Sequence, residues 1–84
     1  MERSLRIRAA LEAVRQACDF VVQAAEAASL DARAVYHCEM AVDEICTNIV
    51  EHGFQNRADG TIALTTREAN SCLEIIIQDD SAPF

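Results

Sequence analysis

The chain has 84 residues, enough for one domain at most, and a domain this short hides a small share of its surface and is marginally stable. Apolar residues make up 51%, which argues against disorder, while the 5% aromatic share and the lack of Trp leave the core to Ala, Val, Leu and Ile. Fourteen acidic side chains against seven Arg and no Lys give a net charge of −7, a surface that repels phosphate backbones and anionic bilayers, so neither nucleic acid nor membrane is expected as a partner.

The N-terminal stretch alternates Leu5 and Ile7 with Arg6 and Arg8, the pattern of a short half-buried strand. Glu2 and Glu12 interrupt it, so it lacks the apolar run of a secretory leader. No apolar run in the chain approaches the ~20 residues that span a bilayer, and a cytoplasmic location is expected.

From about Ala9 to Ala28, Leu11, Val14, Cys18, Val21, Val22 and Ala25 recur at helical steps. The segment "ASLDAR" ends that helix, and Asp31 is placed to cap a second one. The second helix is expected from about Ala32 to His52, with Gly53 at its C-terminal cap. At 100° per residue, Val35, Cys38, Val42, Ile45, Cys46, Ile49 and Val50 form a broad apolar arc. His37, Glu44, Asn48, Glu51 and His52 fall on the other side.

After the polar segment "QNRADG", the runs "TIALTTRE" and "SCLEIIIQD" predict an antiparallel hairpin over about 61–79, turning near Ala69 and Asn70. In the second strand Leu73, Ile75, Ile77 and Asp79 share one face. Asp79 therefore extends a row of hydrophobes that should face the core, and an inward carboxylate is costly unless a donor meets it. The four cysteines, Cys18, Cys38, Cys46 and Cys72, form no CxxC pair and have apolar neighbours, so they are expected to be reduced, buried and inert.

Two features point to a site. Glu44, Asn48 and His52 recur at four-residue intervals within "AVDEICTNIVEHGF". A solvated face is the plain explanation of such a stripe. Yet Asn is a mediocre helix former, and a carboxylate and an amide oxygen one turn apart can converge on a hard cation such as Mg²⁺ or form a general base beside a metal ligand. His37 and His52 lie too far apart for a zinc-binding HExxH helix, and no nucleophile triad is recognisable. The second feature is "DDSAPF", where an inward Asp79 could accept from a neutral planar donor such as an adenine amino group.

Together these segments resemble the histidine-kinase-like (GHKL) ATPase superfamily, and within it the anti-sigma-factor serine-protein kinases. "DEICTNIVEHGF" is similar to that family's N-box, E-x-x-x-N-x-x-x-H, and "DDSAPF" to its adenine box, D-x-G-x-P-F. The resemblance covers essentially the whole chain. It implies an α+β fold, a two-layer α/β sandwich of the Bergerat type, with residues 1–84 as the N-terminal portion of one domain. It implies ATP and Mg²⁺ as cofactors, with Glu44 as general base toward a substrate serine and Asn48 as Mg²⁺ ligand. Asp79 would hold the adenine amino group, with Ser81 below the ring and His52 near the phosphates. The implied partners are a sigma factor and an anti-anti-sigma (STAS-type) protein.

Ser81 stands where the family has Gly, so the turn under adenine cannot take a positive φ as cheaply. Family members also continue beyond the position of Phe84 into a lid and a glycine-rich box. These 84 residues alone are therefore expected to hold adenine weakly and not to transfer phosphate. A strand edge at Leu73 to Ile77 left without later strands invites pairing with another chain, and a homo-oligomer, a dimer, is expected. The rival reading is a non-catalytic protein–protein interaction module on the same fold. A sensor histidine kinase ATPase domain is weaker still, for want of a preceding helix with a phosphoacceptor His.

Overall fold

A computed structural model describes residues 1–53, 60–70 and 72–80. Strand β1 (Glu2–Arg8) leads into helix α1 (Leu11–Ala27) and helix α2 (Ala32–Asn48). Strands β2 (Thr61–Ala69) and β3 (Cys72–Asp79) follow. The sheet has the order β1-β2-β3 and is antiparallel throughout, with the two helices as a second layer, an α+β fold as expected. The first strand begins at Glu2, ahead of the Leu5–Arg8 alternation, because Glu2 and Arg3 find partners in Arg67 and Thr66.

Register places every core-facing side chain. Leu5 and Ile7 pair with Leu64 and Ile62, which pair in turn with Ile77 and Asp79. Directly paired residues share a face, so this row looks toward the helices. Ile7, Ile62 and Leu64 are buried there, together with the hydroxyl-bearing Thr66. Against them α1 sets Ala13, Val14, Ala17, Cys18 and Val21, a ribbon whose small residues allow close approach. Helix α2 closes the core with the buried Val42 and Cys46, and its half-buried Cys38 packs against that core.

Local chemistry sets the element ends. Asp31 Oδ1 accepts from the Ala34 amide at 2.8 Å, the expected N-cap of α2. Helix α1 ends in a Schellman arrangement: the Leu30 amide donates to the Ala25 carbonyl at 3.2 Å and the Ser29 amide to that of Glu26 at 3.0 Å. Ser29 takes φ 63° to make it, a left-handed conformation that Gly adopts more cheaply. Asn70, at φ 54°, turns the hairpin, and Ala69 pairs with Cys72 across it.

Three expectations need correction. The second helix reaches Gly53, but its α geometry stops at Asn48 and Ile49–Gly53 winds as a π turn. The wider turn keeps the adjacent Ile49 and Val50 both packed against the core, which a regular α-helix would splay further apart. Ile45 is 45% exposed rather than part of the core, because α2 meets the rest of the molecule along the narrow Val42/Cys46 seam. Cys72 is exposed and Cys38 half-buried, so only Cys18 and Cys46 are the buried thiols expected. Cys72 stands opposite Ala69 on the sheet face turned away from the helices.

Candidate functional site

Helix α2 presents Glu44 and Asn48 one turn apart, both exposed and on the side away from Val42 and Cys46. They line the same open depression, about 310 Å³, with Met40, Asp43 and Thr47. Thr47 Oγ1 donates to Asp43 Oδ1 at 3.3 Å, which orients that neighbouring carboxylate. The wall thus offers carboxylate, amide and hydroxyl oxygens, the donor set of a hard divalent cation, and among the described residues no cationic side chain lines it. A polyphosphate brought here would meet the carboxylates of Asp43 and Glu44 and, among the described residues, no Lys or Arg in the lining.

His52 lies in the π turn and is exposed. The regular stripe therefore holds from Glu44 to Asn48 and is re-aimed before His52, a distortion of the kind that recurs at functional sites. His37 is exposed further back on α2 beside Tyr36.

Asp79 sits at the end of β3, opposite Ile62 and on the helix-facing side of the sheet as expected. It is exposed, however, which corrects the expectation of a carboxylate buried in an apolar setting. The reason is positional: β3 is an edge strand, its Leu73, Ile75 and Ile77 are themselves only half-buried, and α1 lies over β1 and β2. Asp79 does not line the depression of Glu44 and Asn48. Ser81 and the rest of the "SAPF" segment lie outside the described residues, as does Phe54 at the end of the N-box string.

One residue that sequence reasoning left without a role now has one. Asp80 Oδ1 accepts from the Thr61 amide at 2.9 Å and Oδ2 from the Thr61 hydroxyl at 3.4 Å. Arg6 donates to the same hydroxyl at 3.3 Å. These bonds tie all three strands together beside Asp79. The doubled acid "DD" was the available signal, since a carboxylate just past a strand end is well placed to take amide donors from its neighbour.

The buried thiols behind the site are not nucleophiles. Burial pushes Cys46 up to about 11, with Cys18 and Asp43 adding to the effect. Cys18 is raised too, by burial first and then by Asp43 and Glu39. A thiol held protonated in this way is inert at neutral pH. Among the described residues no cluster of three or more His, Cys, Asp or Glu forms a ready metal cage, and no helix is long and apolar enough to cross a membrane.

Comparison with known proteins agrees with the α+β fold. Neither the curated proteins nor the solved structures give a match. The family model described as "Histidine kinase-like ATPase domain" matches residues 7–84, all but the first six residues of the chain. The chain belongs to the histidine kinase-like ATPase domain family.

Proposed function

We propose that this chain is the nucleotide-binding portion of an anti-sigma-factor-type serine/threonine-protein kinase, which regulates transcription by partner switching in the cytoplasm. The observation that carries the reading is the shared depression of Glu44 and Asn48, an oxygen-lined wall on a helix of this family. Asn48 would hold Mg²⁺ through its amide oxygen, with the metal supplying positive charge beside Asp43 and Glu44. Asp79 would accept from the adenine amino group, Ser81 would lie below the ring, and His52 would stand near the phosphates. Glu44 would take the proton from a substrate serine as its oxygen bonds to the γ-phosphorus and ADP leaves. A sigma factor and a STAS-type anti-anti-sigma protein are the proposed partners.

Calorimetric titration with ADP, with and without Mg²⁺, tests the assignment. Asn48→Ala is expected to remove the Mg²⁺ dependence, whereas Glu44→Gln leaves ADP affinity unchanged, because the base acts only in transfer. Affinity that falls with Glu44→Gln and ignores Asn48→Ala would refute these roles.

Self-association through the β3 edge is part of the same proposal. That edge pairs only inward, with β2, among the described residues. A clean monomer by light scattering at high concentration would count against it. The second reading, a non-catalytic interaction module, is favoured by Ser81 in the Gly position and by the exposure of Asp79. Complete failure to bind ADP under any condition would select it.

A further inference from the structure

A second and larger depression, about 380 Å³, lies between α1 and α2. Leu11, Val14 and Cys18 line it from α1, and Met40, Asp43 and Thr47 from α2. Leu11 is 54% exposed and Met40 48%, and Tyr36, one turn before Met40 on α2, is 56% exposed. Leu11 and Met40 line one depression with Val14 and Cys18, so their exposure is grouped across the two helices rather than scattered.

The charge around this surface is one-sided. Glu39 and Asp43 line the trough, and Asp19 and Glu44 flank it. Among the described lining residues the one cation is Arg15, which is engaged by Asp19 at 3.3 Å and Glu39 at 3.8 Å. A second copy of this chain, with its net charge of −7, would bring the same carboxylates face to face. An apolar floor between acidic walls suits a helix with apolar side chains at i, i+3/i+4 and i+7 and cationic ones beside them.

We propose that the trough between α1 and α2 is a docking groove for a basic amphipathic helix of a partner protein. The groove shares Met40, Asp43 and Thr47 with the depression of Glu44 and Asn48, so the docked helix lies directly beside that wall. The proposal needs no nucleotide and stands or falls separately from the kinase reading.

The test is an NMR titration of the full chain with a synthetic Leu/Lys helical peptide, against a peptide in which each Lys is replaced by Glu. The expected result is shifts centred on Leu11, Val14 and Met40 with the basic peptide and none with the acidic one. Added salt weakens the binding, and the double variant Glu39→Gln/Asp43→Asn weakens it about three- to tenfold. Leu11→Asp, at an exposed position that leaves the fold intact, abolishes it. Three results would overturn the proposal: equal binding of both peptides, shifts centred elsewhere, or groove signals that move with protein concentration alone, which would name a second copy as the occupant.

Discussion

Asp80 offers a sharp test of how the end of the sheet is held. Asp80→Ala deletes the acceptor of the Thr61 amide (2.9 Å) and of the Thr61 hydroxyl (3.4 Å) at the start of β2. A net hydrogen bond contributes about 0.5–1.5 kcal/mol, and more when one partner is ionised. Here the groups are at the surface, where water replaces part of what is lost, so about 1 kcal/mol is expected in total. In a domain of this size that lowers Tm by about 4–8 °C. Asp80→Asn keeps an oxygen for the Thr61 amide and loses only the charge, so about half the shift is expected. Thermal unfolding followed by circular dichroism measures both variants, and hydrogen exchange at the Thr61 amide localises the change. If both variants melt with the parent and Thr61 stays protected, the carboxylate does not hold this corner and the reasoning fails.

Ser29→Gly relieves a left-handed residue in the Schellman turn after α1 and is expected to raise stability by about 0.5–1 kcal/mol in urea unfolding, whereas Ser29→Val should lower it. Val42→Ala opens the α1–α2 seam and should cost about 2–3 kcal/mol, while Ile45→Ala, at a position 45% exposed, should cost well under 1 kcal/mol; equal losses in denaturant titration would contradict the observed seam. Cys46 titrates near 11 in the folded protein against 9.0 unfolded, so the folded state retains the proton to higher pH. Its contribution is fully present below pH 9 and is lost as pH rises toward 11, a loss of about 2–3 kcal/mol that unfolding midpoints across this window would show and that Cys46→Ala would reduce, with the raised Cys18 thiol accounting for what is left.

Much of the fold was legible because single residues carry its signals. Leu5 and Ile7 alternate with arginines, Asp31 caps α2 at the expected atom, and the hairpin turns at Asn70. What could not be read depends on which surfaces meet. Ile45 and Cys46 are equally apolar neighbours, yet only Cys46 lies on the strip that touches α1. The π turn arises from packing Ile49 and Val50 together against the core, a tertiary demand that helical periodicity cannot express. At the candidate site, the spacing of Glu44 and Asn48 correctly put both on one wall, because four residues make one helical turn. Two-residue periodicity likewise gave Asp79 its correct face, but alternation says nothing about how far the helix layer extends over an edge strand. Asp80 went unassigned because its partner, Thr61, is distant in sequence and adjacent only in the folded sheet.

The central claim is that Glu44, Asn48 and Asp79 are parts of one Mg²⁺–nucleotide site on this family's fold. Calorimetric titration of the full chain and of Asp79→Asn with ADP, each with and without Mg²⁺, tests it most directly. The account predicts weak binding that requires Mg²⁺ and is lost in Asp79→Asn while the circular dichroism spectrum is unchanged. Absence of binding, or binding indifferent to both the metal and Asp79, would contradict it.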